Sequence, residues 1–522
     1  MALHRCPEIP FESADIVLLD PETKRVHHPD QLLSLGVARP RRRQKLGHGR
    51  RIVLRVHKIA RGFDFRRNRR RCQKGNRKNN LFHRVFLLIV AFFSLGMVPV
   101  HALDLPPKLQ ASDFLEFNRE WAQIGQLLFF DPILSGNRNI SCATCHNHDH
   151  AGADGLSLGI GEGGIGVGPD RTAGTGENRI HKRIPRNAPA LWNLGAREVE
   201  VLFHDGRVSV SDIYDNGFDT PAQEWLPEGL DNILAVQALF PMTSQFEMAG
   251  DPKENEVAGA AYDRIDAVWP ILAKRVRVIP DYSQMFIDAF DDVDDPLDIS
   301  IVHVANAIAA FEGLEWQSFD SPFDAWLDGQ NDALTDDQTA GLQLFFGKAG
   351  CGNCHSGRLL TDHRFHALAL PHFGPGRTRQ WDPIVRDVGR MAASDRLEDA
   401  YRFRTPSLRN VALTAPYGHN GAYPTLEGIV RHHLDPTTGF TNWQPEMAHL
   451  PAVPWLAESD FLPFQDARER GRLTARMDIT PVALDEDEID QVIAFLHALT
   501  GTESRDGRLG RPDHVPSGLR VD

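Results

Sequence analysis

Cys142-Ala-Thr-Cys145-His146 and Cys351-Gly-Asn-Cys354-His355 are the two runs in this chain whose residue types and spacing could do chemistry together. Each reads C-x-x-C-H. Two thiols three positions apart can form thioethers to the vinyl groups of a haem, and the histidine that follows then sits under the iron. Three other chemistries share part of the pattern. A four-cysteine zinc site would have to gather pairs 209 residues apart and leaves both histidines without a role. A thioredoxin-like pair needs a βαβ context, which neither run has. A disulfide inside each C-x-x-C loop would be strained and reducible. Haem attachment uses all six residues.

Charge divides the 522-residue chain in two. Residues 1–102 carry 22 basic and 7 acidic residues, and the rest carries 35 and 63. Between the two parts lies the apolar run Val85–Val98, preceded by the basic stretch Arg66 to Lys78 and followed by Val100-His101-Ala102. The run falls short of the roughly 20 residues of a membrane span. A short apolar run after basic residues and before small ones reads as a signal peptide over 81–102, cleaved after Ala102, with an uncleaved anchor as the alternative. The Arg-rich residues 1–80 read as a mis-called translation start or a dispensable lead rather than a nucleic-acid patch. Cleavage removes Cys6 and Cys72 and leaves four cysteines, all in the two motifs. Covalent haem attachment then points to the periplasm.

Helical periodicity must position the two motifs. Phe114, Phe117, Trp121, Ile124, Leu127 and Leu128 predict a helix ending at Asp131-Pro132, just before the first motif. A Gly-rich loop (Gly152 to Gly164) follows it, and its glycines would let backbone pass close to a flat cofactor. Further helices are expected over 233–240, 262–278 and 282–290, with a buried Ala-rich one over 299–311. Residues 321–328 read as the opening of a linker. The capped pattern 334–346 then leads into the second motif as the first helix leads into the first. Residues 486–499 end the periodic part, and the tail 503–522 reads as polar and disordered. The fold class is mainly α, with two cytochrome c-like haem domains packed face to face over 103–330 and 331–502.

Landmarks in this order resemble the bacterial di-haem cytochrome c peroxidase family, which includes the MauG-type enzymes. They are Leu128-Phe-Phe-Asp-Pro132, Leu134-Ser-Gly136, Gly152-Ala-Asp-Gly155, Pro185–Pro189, Asp205-Gly-Arg207, Ser321-Pro-Phe-Asp324, Leu359-Leu-Thr-Asp362, Phe403–Tyr417 and Thr425-Leu-Glu427. The resemblance covers roughly 112–502. It implies an N-terminal haem that reacts with H₂O₂ and a C-terminal haem that collects electrons from a small cytochrome c or cupredoxin. It allows a homodimer and involves no nucleic acid. The family's distal acid/base corresponds to Glu247, in Gln245-Phe-Glu-Met248, and its orienting glutamine to Gln237, ten residues earlier. Without that spacing Glu247 reads as a surface residue at a helix end. A calcium ion between the domains is implied too, held by Asn187 and the carbonyls of Thr414 and Pro416.

Four departures bear on mechanism. The loop position where many relatives carry a histidine that caps the N-terminal iron is Glu162, so the resting gate is expected to be missing. The family's bridging tryptophan becomes His204. The sixth ligand of the C-terminal haem, Met in the peroxidases and Tyr in the MauG type, falls by spacing on His433, beside His432; Met447 and Met477 are the alternatives. The axial set is then His146, His355 and His433. The polar stretch 207–229 has no counterpart in the family pattern. The expected activity is reduction of H₂O₂ to water. The rivals are a MauG-like oxidation of a protein or organic substrate and plain electron transfer without catalysis.

Overall fold

A computed structural model describes residues 104–378, 385–502 and 509–522. The Arg-rich lead and the expected signal peptide lie outside the described residues. Among the described residues no helix is long and apolar enough to cross a membrane.

Five helices carry the frame. Helix α1 (Arg119–Phe130) starts at Asn118, whose side chain accepts from the backbone N–H of Glu120 and Trp121. Helix α2 spans Ile301–Glu315 and is buried nearly all round. Helix α3 (Asp336–Phe346) opens on a Thr335/Gln338 capping box, and α5 (Glu486–His497) opens on an Asp485/Glu488 box. Helix α4 spans Leu426–Leu434. The helix expected before the first motif therefore begins several residues late, because Asn118 offers the first good cap.

The α1–α2 crossing and the α3–α5 crossing repeat each other residue for residue. A Cβ on Gly125 of α1 would lie 1.9 Å from the Ala307 carbonyl oxygen, and one on Gly341 of α3 would lie 1.8 Å from that of Gln491. Four residues further on, Phe129 meets Phe311 with ring centres 5.2 Å apart, and Phe345 meets Phe495 at 5.2 Å. Glycine is required at both crossings because backbone touches backbone there. Gly341→Ala should therefore lower stability by about 1–3 kcal/mol, the usual cost of overpacking. The check is thermal unfolding against wild type, and an unchanged midpoint would rule the close crossing out.

Two large apolar cores follow. The first gathers side chains from Leu109 to Trp316, and the second those from Phe323 to Leu499 together with Leu158. Residues 321–328 are not an open linker. Ser321 caps a short helix, Pro322–Leu327, and Phe323 packs edge-on against Phe495 of the second core. We propose that the domain boundary lies between Phe319 and Phe323, slightly before the expected 330/331.

The polar stretch after Arg207 folds onto the first core as a small antiparallel sheet, β1 (Val201–Leu202), β2 (Val208–Val210) and β3 (Phe218–Asp219). A second pair, β4 (Phe365–His366) and β5 (Phe403–Arg404), lies among the second motif's neighbours.

The tail is a further correction, since residues 509–522 are packed. Val515 is only 3% exposed and belongs to the first core. Glu315 accepts from the backbone N–H of Leu509 and Gly510, at 2.6 and 2.9 Å. Ser517 donates to Asp131, and Thr144, inside the first motif, donates to Asp522.

Candidate haem sites

The two C-x-x-C-H runs have matching local geometry. Ser141 caps a single helical turn, Cys142–Cys145, and Cys351–Asn353 forms a tighter turn. His146 Nδ1 lies 2.9 Å from the Gly152 carbonyl, and His355 Nδ1 lies 3.0 Å from that of Leu360. Both carbonyl-bearing residues have positive φ, which aims each carbonyl back at its ring. In each ring Nδ1 is thus the donor and Nε2 is left as a neutral ligand atom. Burial lowers both histidines, His355 to about 4, so neither is protonated near neutral pH. All four cysteines are free and half-buried. Burial pushes Cys145 and Cys351 up to about 12, so both are protonated thiols near neutral pH.

Around the second motif a largely apolar cavity of about 580 Å³ is lined by Cys351, Cys354, His355 and, across from them, His433 of α4. The His355 and His433 ring centres are 6.5 Å apart. Two metal–imidazole bonds of about 2 Å, with about 1.1 Å from each ring centre to its nitrogen, would separate the centres by about 6.2 Å. His433 Nδ1 is occupied by the Ile429 carbonyl at 2.8 Å, so Nε2 is its available atom. His432 has both nitrogens engaged, with the Tyr423 hydroxyl and the Leu368 carbonyl, each at 2.8 Å. Met447 packs against the second core and Met477 against a separate small cluster, and neither lines the cavity. The donor set and spacing fit a haem held between two imidazoles.

Glu247 sits in a π-helical turn, Gln245–Ala249. Single π turns are frequent at functional sites. Two glycines let neighbouring loops clamp this turn, since a Cβ on Gly136 or Gly161 would lie 1.8 Å from the carbonyl oxygen of Ala249 or Phe246 respectively. Gly136 N–H donates to Met248 O at 2.8 Å, and Glu162 N–H to Glu247 O at 2.9 Å. The Gly-rich loop thus owes at least Gly161 to backbone contact rather than to a flat cofactor. Burial raises the Glu247 carboxyl above the ordinary range, opposed by Arg207 and Arg377. After burial and Asp154, the charge of Glu247 also contributes to raising Cys145 of the first motif. Gln237 is half-buried on the helix Ile233–Ala238, and no hydrogen bond joins it to Glu247.

The Glu162 side chain is held by two asparagines. Its Oε1 accepts from Asn137 and Asn139 at 2.9 and 2.8 Å.

His204 lines the same cavity as His355, with Nε2 3.1 Å from the Asn187 carbonyl. Burial, with Arg186 adding to it, pushes His204 down to about 4. Next to it Arg186 bridges two buried carboxylates, Asp387 at 2.7 Å and Asp205 at 2.8 Å. Sequence reading missed the Arg186–Asp387 pair because its members lie 201 residues apart. Asn187, Thr414 and Pro416 line the cavity as well. Asn187 donates through Nδ2 to the Leu156 carbonyl at 2.7 Å, which leaves its amide oxygen as a neutral donor for a hard cation.

Comparison with known proteins identifies the family. Residues 119–332 match the family model described as di-haem cytochrome c peroxidase. Cytochrome c551 peroxidase of Pseudomonas aeruginosa is 30% identical over 311 residues, covering 60% of this chain and 70% of the relative. The chain belongs to the di-haem cytochrome c peroxidase / MauG family. The methylamine utilization protein MauG of Methylorubrum extorquens is 29% identical over 316 residues, 60% of this chain and 69% of that one. The crystal structure of a MauG-like protein associated with microbial copper homeostasis superposes with a TM-score of 0.52 at 26% identity, over 80% of this chain and 99% of that chain. Membership makes this chain an oxidoreductase of mainly α fold with two cytochrome c domains, and it implies two c-type haems, one for each C-x-x-C-H run.

Proposed function

We propose that this family member reduces H₂O₂ to two molecules of water, consuming two protons and two electrons from an external cytochrome c or cupredoxin in the periplasm. The asymmetry of its two sites carries the reading. His355 and His433 face each other across the second cavity, which suits a closed, six-coordinate electron-transfer centre. His146 has no second imidazole assigned to it among the described residues, and the half-buried Glu247 carboxylate is the distal group that the family resemblance assigns to that side. A plain electron-transfer protein would need two closed sites.

When bound, the N-terminal haem iron supplies the electrons that break the O–O bond. Glu247 takes the proton from the peroxide oxygen that binds and returns it to the oxygen that leaves. Its raised affinity for protons suits both halves of that transfer. Gln237 orients the peroxide. His204, held neutral between Asn187 and the second cavity, links the two sites for electron passage. Asn187, Thr414 and Pro416 hold a Ca²⁺ completed by water.

The oxidised protein should show one high-spin and one bis-imidazole low-spin ferric haem by EPR, and should turn over H₂O₂ with a reduced small cytochrome. Two low-spin haems without turnover would make it an electron carrier. Oxidation of an organic or protein substrate without donor turnover would favour the MauG-like alternative. Intact-mass measurement should find a mature chain starting at or near Leu103 with two haem masses. A mature species keeping the Arg-rich lead would rule out export by cleavage after Ala102.

A further inference from the structure

The second cavity contains a charge that no carboxylate among the described residues neutralises. Two arginines line it, Arg404 and Arg409. Arg409 is fully occupied: its Nη1 reaches both oxygens of buried Asp324 at 2.6 and 2.7 Å, and its other nitrogens reach the Arg358 carbonyl. Arg404 is different. Its Nε donates to the Phe203 carbonyl at 3.2 Å and one Nη to the Thr405 carbonyl at 3.3 Å. No carboxylate pairs with it among the described residues. Asp478, which also lines the cavity, is taken by Arg402 at 2.6 Å and by the Ala367 N–H. Burial alone pushes Arg404 down to about 10, with no anion to hold it up. Arg186, by contrast, is held up by Asp205 and Asp387 against the same penalty.

A half-buried guanidinium without a counter-ion carries a desolvation cost, and a ligand anion reduces that cost. A haem brings two propionate carboxylates into this cavity. Of the five N–H donors on a guanidinium, Arg404 uses two, so donors on its terminal nitrogens remain for a carboxylate, the geometry that guanidinium forks favour. We propose that Arg404 binds a propionate of the C-terminal haem and fastens that edge of the haem to the Phe203–His204 segment. The same residue donates its backbone N–H to the His204 carbonyl at 2.8 Å. One residue on β5 thus holds the cofactor's acidic edge from its side chain and the candidate bridge residue from its backbone. It is a positioning residue, and it sets the charge next to that haem. The inference rests on the di-haem reading.

The test is a spectroelectrochemical titration of the haem-loaded protein, with resonance Raman of the low-spin haem, for wild type, Arg404→Gln and Arg404→Lys. Removing a positive charge beside a haem favours the ferric form. Arg404→Gln should therefore lower the midpoint potential of the low-spin haem more than that of the other haem, and should shift its propionate bending band. Arg404→Lys keeps the charge and should retain most of the wild-type potential. If Arg404→Gln loses that haem while Arg404→Lys keeps it, the proposal is supported. An Arg404→Gln protein with two haems, an unmoved potential and an unmoved propionate band overturns it. So does loss of that haem from both variants, because a retained charge should still hold the carboxylate. Wild-type protein without covalent haem would instead overturn the di-haem reading itself.

Discussion

Glu247→Gln should lower kcat/KM for peroxide by about 10²–10⁴-fold, the usual worth of a positioned proton-transfer group, with both haems still attached. The amide keeps the shape and the backbone clamps from Gly136 and Glu162 but cannot accept the proton. The wild-type pH profile gives an independent reading of the same residue. Glu247 must be ionised to act as base, and burial raises its pKa. Activity should therefore be lost as pH falls through a value above the ordinary glutamate value of about 4.3. The variant should lose that acid limb. Near-full activity in Glu247→Gln, or an acid limb that survives the substitution, would assign the proton transfer to another group.

The second large effect concerns the resting enzyme. Mixing the fully oxidised protein with H₂O₂ should change the Soret band at once, with no prior reduction of the C-terminal haem. Glu162 stands where many relatives carry a capping histidine, and its carboxylate is hydrogen-bonded to Asn137 and Asn139. Of the three histidines that could substitute for it, His148, His150 and His181, two have acidic partners of their own. His181 pairs with Asp251 at 2.7 Å, and His148 with buried Glu315 at 2.6 Å. Glu162→His should slow the reaction of the oxidised form and make it depend on pre-reduction, provided the imidazole leaves the two asparagines. A wild-type protein that ignores peroxide until it receives one electron would show that some other ligand closes the site.

What was legible in the sequence was local. Each C-x-x-C-H run, the caps at Thr335 and Asp485 and the periodic faces of α2 and α5 are set by residues within a few positions of one another. The helix Pro322–Leu327 was legible too, because Ser321 and Asp324 form a capping box, but its brevity and its Pro read as a linker. The glycine crossings at Gly125 and Gly341 could not be read, since the partners Ala307 and Gln491 lie far along the chain. Neither could the Arg186 bridge to Asp387, nor the isolation of Arg404, which depends on where every nearby carboxylate has gone. The tail misled for a physical reason. Its composition is polar, and it is anchored by one apolar side chain, Val515, and by backbone N–H groups that bond Glu315 whatever side chains accompany them.

That tail also sets an order of events in folding. Ser517 bonds Asp131 across 386 positions, and Val515 fills a place in a core otherwise built almost entirely before residue 317. During synthesis the first core must therefore wait, incomplete, while the whole second core is made. Contacts between residues so distant in sequence form late, after the entropy of closing the intervening loop has been overcome. The second core, nearly all of it contiguous in sequence, can close without waiting. The half of the molecule that is translated first is thus the half that finishes folding last.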